Sequence, residues 1–276
     1  MLNNPVLHKE MMRMRMRQGK PVRIAIVSAV ALAIAYFYTV ATAYLLDRHN
    51  TPNSRDIWAA TIGVQFLIIA LLTPSATANA ISQEREQQTW EMLLQTRLTA
   101  KQIIFGKLFA RLVPTLAIVL LGLPVTTLCL LTANRSWNDN SYSAYHALTP
   151  GMFLLANGGL LVMGAFFATF GLYMSMKFKR TLYAMLATYG FVFGVLGIGT
   201  MMVTGMLQMF NYSNSNFMES FPLMWINPVY IIAEITSAWR AEYIVYATVG
   251  LGLYAATTAF MLWRMVTRFR SMAIDR

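Results

Sequence analysis

The chain has 276 residues, of which 57% are apolar and 12% charged, and its mean hydropathy is +0.50. Soluble domains carry about 25% charged residues, so this composition excludes an ordinary soluble protein and indicates a chain built for lipid. The net charge of +11 does not indicate a nucleic-acid surface, because the cations lie at the ends of apolar runs.

The N-terminal segment, residues 1–21, predicts a cytoplasmic helix lying in the membrane interface. On a helix, Leu7, Met11 and Met14 share one side, which can rest on lipid. The other side faces anionic headgroups with a basic row, formed by Lys9, Arg13, Arg17 and Lys20. A basic flank that only fixes orientation is the alternative interpretation.

Six apolar runs then follow, each long enough as a helix to cross about 30 Å of hydrocarbon. None has Lys, Arg, Asp or Glu in its interior, and they are Ile24–Leu46, Ile57–Ala80, Leu112–Ala133, Gly151–Met176, Thr181–Gln208 and Tyr243–Trp263. The sequence therefore predicts an all-α polytopic membrane protein with a single transmembrane domain over residues 1–276.

The basic residues predict the orientation of these spans. With six spans and both termini in the cytoplasm, 18 of the 22 Lys and Arg residues lie inside, as the positive-inside rule requires. A further apolar stretch, Phe221–Ile235, is too short to cross and contains Pro222 and Pro228. If it crossed, the basic C-terminus would lie outside, so residues 209–242 are predicted to form a re-entrant hairpin at the outer side.

The charged stretch between the second and third spans, residues 81–111, is predicted to be cytoplasmic. Ser82 can begin a helix there, and only Gly106 interrupts it before Phe109, which predicts one continuous helix. One side of this helix is polar and the other carries Trp90 with Leu93 and Leu94. Such a face either docks into a groove on a partner or rests on the membrane interface, and the pattern alone leaves both open.

The same stretch resembles the permease subunit of type-2 ATP-binding-cassette exporters, in which a cytoplasmic helix reads "ERE.GT.E.LL.T.L" followed by "GK". The matching residues here are Glu84, Arg85, Glu86, Thr89, Glu91, Leu93, Leu94, Thr96, Leu98, Gly106 and Lys107. Gln88 stands in place of the usual Gly, which argues against a bend there. The opening "NPVLHKE" and the outer segment around Pro222, Trp225 and Asn227 are similar to the same family.

The resemblance implies a homodimer of permeases, each resting on a separate ATPase subunit that holds ATP and Mg. This chain itself has no G-x-x-x-x-G-K-[ST] loop, so we expect it to bind no cofactor and not to be an enzyme. The residues expected to couple it to the ATPase are Glu84, Arg85, Glu86, Thr89, Trp90, Glu91, Leu93 and Leu94. Trp90 and the two leucines would be the buried anchors and the charges would orient them, unless some acids pair with Arg13, Arg17 or the Arg97–Lys101 cluster.

The expected location is the bacterial inner membrane, with membrane lipid as a partner and room for an accessory protein at the outer side. Span interiors without charge fit an amphipathic or lipid-like cargo better than an ion, and no substrate-binding or metal-binding residue is assigned. The alternatives are a carrier or channel that needs no ATPase and, because of the 20 methionines, a transporter for copper or cofactor maturation. A membrane enzyme is a third alternative.

Overall fold

The computed structural model describes residues 38–39, 42–43, 54–89, 99–133, 148–199, 201–202, 205, 226–237 and 241–269. All regular elements within these residues are helical, and five helices are long and apolar enough to cross a membrane. The predicted all-α membrane fold is therefore confirmed for these parts of the chain. The predicted interfacial helix and most of the first predicted span lie outside the described residues, so the count of six spans stays a prediction.

The helices follow one another with short connections wherever the chain is described. They are α1 (Ser54–Ala78), α2 (Ser82–Glu86), α3 (Ala100–Ala133), α4 (Pro150–Lys177), α5 (Thr181–Tyr189), a π-helix that continues α5 (Gly190–Gly199), α6 (Pro228–Ser237) and α7 (Ala241–Thr267). The second, third, fourth and sixth predicted spans correspond to α1, α3, α4 and α7. The fifth corresponds to α5 together with the π-helix.

The centre of the bundle is α4, which packs against α1, α3 and α7. Small residues on α4 let its neighbours come close. Gly164 lies against Thr115 of α3, and a Cβ on Gly171 would stand 3.2 Å from the Ala78 amide nitrogen of α1. Lipid is as apolar as the helix surfaces, so the hydrophobic effect does not drive membrane helices together. They associate instead by close packing, which small residues allow.

Helices α1, α4 and α7 end at the same end of the bundle, where α3 and α5 begin. An apolar cluster gathers their termini there, with Ile81, Ile104, Met176 and Met265 among its members. We call this the basic end, because its charged residues are mostly cations, including Lys101, Lys107, Arg111, Lys177, Lys179, Arg180, Arg264 and Arg268. The alternating directions of α1, α3, α4, α5 and α7 are those of consecutive spans.

At the opposite end, α6 is a short helix packed on α1, α4 and α7. Asn227 caps its start, since its Oδ1 accepts a hydrogen bond from the Val229 N–H at 2.8 Å. Near its other end, the Arg55 side chain donates from Nε to the Thr236 carbonyl at 3.2 Å. Ten residues span only about 15 Å, half the hydrocarbon thickness, so α6 by itself does not cross. The rest of the predicted hairpin lies largely outside the described residues.

The prediction of one continuous helix from Ser82 to Phe109 is wrong. Helix α2 ends at Glu86, and Gln88 adopts a left-handed backbone with φ 56°. A new helix, α3, begins at Ala100 and runs unbroken past Gly106 into the third span. The helix therefore breaks at Gln88, where no break was predicted. It does not break at Gly106, which was the one residue expected to interrupt it.

Candidate functional site

The five-residue helix α2 begins where α1 ends, and its exposed amides are satisfied by another helix. The hydroxyl of Ser175, a buried residue of α4, accepts hydrogen bonds from the N–H groups of Ile81 at 2.8 Å and Ser82 at 2.9 Å. The first N–H groups of a helix have no partner within the helix, so this hydroxyl serves as its cap. Ser175 therefore fixes the start of α2 to α4.

A buried ion pair fixes α2 to α3. The ammonium group of Lys107 lies 2.8 Å from Glu84 Oε1, and the two side chains are only 1% and 5% exposed. Lys107 Nζ also donates to the Ala80 carbonyl at 3.0 Å, in the turn between α1 and α2. One lysine thus holds both the helix and the turn that leads into it. A buried charge needs such a partner, because leaving it unpaired is strongly unfavourable.

The last residue of α2 caps a third helix. Glu86 accepts hydrogen bonds from the Thr181 N–H at 2.7 Å and from the Thr181 hydroxyl at 2.9 Å. Thr181 is the first residue of α5, whose own N-cap residue, Arg180, makes no side-chain cap. The carboxylate of Glu86 therefore takes the place of a local cap, and it complements the positive end of the α5 dipole.

These contacts also favour the charged form of Glu86. The Thr181 N–H, the Thr181 hydroxyl and the nearby Arg180 charge lower the pKa of the Glu86 carboxyl from its ordinary value. A group with a lowered pKa in the folded protein stabilises it above the unfolded pKa, and the contribution is lost as the pH falls through the folded value. The cap is therefore fully formed at neutral pH.

Helix α2 ends in a Schellman motif. The Thr89 N–H donates to the Glu84 carbonyl and the Gln88 N–H donates to the Arg85 carbonyl, both at 3.0 Å. This pair of bonds needs a left-handed residue just past the helix end, a position usually taken by Gly and here by Gln88. The bend therefore lies at the position where the resembling family has Gly, and the inference from Gln88 that no bend occurs there is wrong.

We call α2 together with Lys107, Ser175 and Thr181 the α2 junction. It joins the end of α1 to α3, α4 and α5 by polar contacts. Ile81, the residue just before α2, belongs to an apolar cluster with Ile103 of α3, Leu172 of α4 and Phe269 beyond α7. The junction is therefore a packed body rather than a solvated loop.

The structure places four of the eight residues predicted to couple the chain to an ATPase. Glu84 is buried and faces Lys107 rather than solvent, Arg85 is half-buried, and Glu86 and Thr89 are exposed. The other four (Trp90, Glu91, Leu93 and Leu94) lie outside the described residues, as do the basic residues Lys9, Arg13, Arg17 and Lys20. The internal partner of Glu84 is Lys107, which is not among the arginines and lysines proposed for it.

Three residues of the junction were not singled out from the sequence as contacts. Lys107 carried a signal, because it belongs to the "GK" pair of the resembling family, although no partner was assigned to it. The start of α3 also carried a signal in the sequence. Thr99 and Gln102 form a capping box there, in which the Gln102 N–H donates to Thr99 Oγ1 at 3.3 Å and the Thr99 N–H donates to Gln102 Oε1 at 2.9 Å. Ser175 and Thr181 had no signal in the sequence.

Residues 6–267 match the family described as ABC-2 family transporter protein. The chain belongs to this family. The match includes all the helices α1 to α7, so it covers the five described spans, the α2 junction and α6. A search of individually curated proteins gives no match.

Members of the ABC-2 family are membrane components of transporters, and in general they work with an ABC ATPase subunit. This ABC-2 protein is thus a multi-pass membrane protein that belongs to a transporter family. The resemblance to type-2 permease subunits noted in the sequence is confirmed. The five apolar helices agree with that assignment.

The ion pair in the α2 junction gives a first testable prediction. Replacing Lys107 by Met leaves the Glu84 carboxylate buried without its cation, so we expect the free energy of unfolding to fall by about 3–5 kcal/mol. Changing Glu84 to Met as well removes the unpaired charge, and this double variant should recover most of the loss. The measurement is denaturant unfolding of the purified protein in mixed micelles. Lys101→Met, an exposed lysine of the same helix, is the control and should stay within about 0.5 kcal/mol. A Lys107→Met variant as stable as that control would contradict the assignment.

The Schellman motif gives a second prediction. Gly adopts the left-handed backbone of Gln88 without strain, so Gln88→Gly should slow hydrogen exchange of the Gln88 and Thr89 amides, by about 1 kcal/mol in opening free energy. The control is Gln87→Gly, because Gln87 has an ordinary φ of −85° and gains nothing from the change. Faster exchange in Gln88→Gly than in the native protein would show that the bend is not held by this motif.

Proposed function

We propose that this ABC-2 protein is the permease subunit of an exporter in the bacterial inner membrane. In this proposal it works as a homodimer with both termini in the cytoplasm, and a separate ATPase subunit holds ATP and Mg and supplies the energy. Membership of the ABC-2 family supports the permease role. The observation that carries the coupling role is the α2 junction.

Coupling requires that a displacement at one point of the permease moves several spans together. A flexible loop would absorb the displacement, whereas a packed element with few alternative arrangements transmits it. Helix α2 meets this requirement because Lys107, Ser175 and Thr181 attach it to α3, α4 and α5. Its exposed end, from Glu86 to Thr89, leads directly into the segment proposed to meet the ATPase.

In this proposal the acidic residues have two different roles, one inside the permease and one at the ATPase. Glu84 and Glu86 are engaged inside the permease, with Lys107 and Thr181, so we assign them to positioning rather than to the partner surface. Contact with the ATPase is then left to the residues that follow the bend. We propose Trp90, Leu93 and Leu94 as its buried anchors, with Glu91 as an orienting charge and Arg85 beside the bend.

Two further parts of the proposal concern lipid and cargo. We propose that the basic row of the N-terminal segment lies on anionic headgroups, since its lysines and arginines precede the first span. The cargo in this proposal is amphipathic, because the predicted spans carry no charge in their interiors.

The decisive experiment is binding between the permease and the ATPase subunit that copurifies with it. Trp90→Ala should insert normally and bind the ATPase roughly 30-fold more weakly, because a buried aromatic anchor at an interface contributes at least about 2 kcal/mol. The stimulation of ATP turnover by the permease should fall in parallel. Both quantities are measured in lipid nanodiscs by titrating the ATPase subunit.

The matched control is Trp263→Ala, which removes a tryptophan that is exposed at the basic end of α7. It should change neither binding nor turnover. If Trp90→Ala binds as tightly as Trp263→Ala, the docking assignment is wrong. Transport by the purified chain without any ATPase would instead favour the self-sufficient carrier or channel.

A further inference from the structure

The turn between α4 and α5, residues 177–180, gathers three cations at the basic end. Lys177, Lys179 and Arg180 are all exposed, and neither α4 nor α5 contains an Asp or Glu residue. The side chains of Lys177 and Lys179 make no hydrogen bond or ion pair with any residue that the structure describes. Two lysines are therefore free to bind an anion from outside the described bundle.

The carboxylate beside these cations is already engaged. Glu86 accepts hydrogen bonds from the Thr181 N–H and hydroxyl, and Arg180 is the cation close enough to it to favour its charged form. Glu86 thus takes the start of α5 and balances part of the charge on Arg180. The excess positive charge of the turn lies on the two lysine side chains rather than on the helix start.

An apolar strip begins directly beyond the cations, on α5. It consists of Leu182, Tyr183 and Leu186, which lie three and four residues apart and so share one side of the helix. Leu182 is 65% exposed and Leu186 is 61% exposed, as expected for side chains that contact the acyl chains of lipid. Tyr is favoured where hydrocarbon meets the headgroups. The strip therefore places the turn 177–180 at the depth of the headgroups.

The helix that carries the strip is held in place at both of its ends. At its start, Thr181 is bound to Glu86 of the α2 junction. At its end, the Tyr189 hydroxyl donates to the Leu71 carbonyl of α1 at 2.6 Å. The backbone of the turn and the apolar strip consequently keep a fixed position relative to each other, as a binding site requires.

We propose that the turn 177–180 binds the phosphate of an anionic phospholipid, whose acyl chains lie along the apolar strip. Lysine ammonium groups form charge-assisted hydrogen bonds with phosphate oxygens, and basic residues beside a span attract anionic headgroups. An acidic protein surface would pair with the lysines but would leave the strip without a partner, so lipid is the occupant that fits both. This site is separate from the basic row of the N-terminal segment.

The test measures how strongly the site prefers phosphatidylglycerol, which is anionic, over phosphatidylcholine, which is zwitterionic. A fluorophore is attached through Leu182→Cys to the full chain in a Cys129→Ala background, and the protein is placed in vesicles of the two lipids. Bromine atoms on the acyl chains of one lipid at a time quench the fluorophore on contact. The two quenching curves give the ratio of the lipid association constants at residue 182.

We expect phosphatidylglycerol to be preferred roughly tenfold when both lysines are present. The variant with Lys177→Gln and Lys179→Gln should lower that preference roughly fivefold, and Lys179→Gln alone should give an intermediate value. The matched control is Lys101→Gln, because Lys101 is an exposed lysine of α3 at the same end of the bundle. It removes the same charge as Lys179→Gln and should leave the ratio as in the native sequence.

The proposal is overturned if Lys179→Gln and Lys101→Gln give the same ratio, or if the double variant keeps the native preference. It is also wrong if the lysine variants weaken binding of the ATPase subunit while lipid preference is unchanged, because the turn is then a protein contact. Inorganic phosphate should displace phosphatidylglycerol no better than sodium chloride of equal ionic strength. Specific displacement would show that the ligand is a free phosphate and not a lipid. The lipid measurement needs no ATPase, so its outcome does not depend on the proposed coupling.

Discussion

A five-residue helix is too short to be stable by its own hydrogen bonds, because nucleating a helix costs more than so few bonds return. Helix α2 nevertheless forms, since Ser175 satisfies its first amides, Lys107 neutralises the buried Glu84, and Gln88 closes its last turn. Each of these groups except Gln88 belongs to another helix. The basic end of the bundle depends on this reciprocal arrangement, because the same contacts that make α2 stable also fix α3, α4 and α5 relative to α1.

The contacts of the basic end extend along the α-helical part of the fifth span. The contact between Glu86 and Thr181 holds the start of α5, and the bond from Tyr189 to Leu71 holds its end. Only beyond these attachments does the helix become π-helical.

The sequence predicted the spans well because apolar length is a strong signal. Helices α4 and α7 begin and end close to the predicted limits. The basic residues argued against a span over Phe221–Ile235, and the described part of that stretch contains most of the ten-residue α6. The start of α3 was missed, although Thr99 and Gln102 have the spacing of a capping box. That local signal was available and would have shown that the third span begins well before Leu112.

Other features could not be predicted, because their causes are distant in sequence or unusual in residue type. The cap of α2 comes from Ser175, more than ninety residues further along the chain, and no local pattern points to it. A Gly at position 88 would have indicated the bend, but the residue there is Gln88. Its left-handed backbone is therefore visible only in the structure. Glu84 was named as an orienting charge, with pairing inside the permease left open, and for a similar reason the sequence did not identify Lys107 as its partner. Its burial is set by Lys107, and a helical pattern cannot show what packs over it from another span.

The most direct test of a rigid α2 junction is amide hydrogen exchange at Ile81, Ser82 and Thr181 in the complex with its ATPase subunit. These three N–H groups donate the hydrogen bonds that attach α2 to α4 and α5 to α2. If the junction moves as one body, each of the three amides exchanges as slowly with a non-hydrolysable ATP analogue as it does without nucleotide. If any of the three exchanges much faster in one of these states, the junction opens during the cycle and does not transmit the displacement.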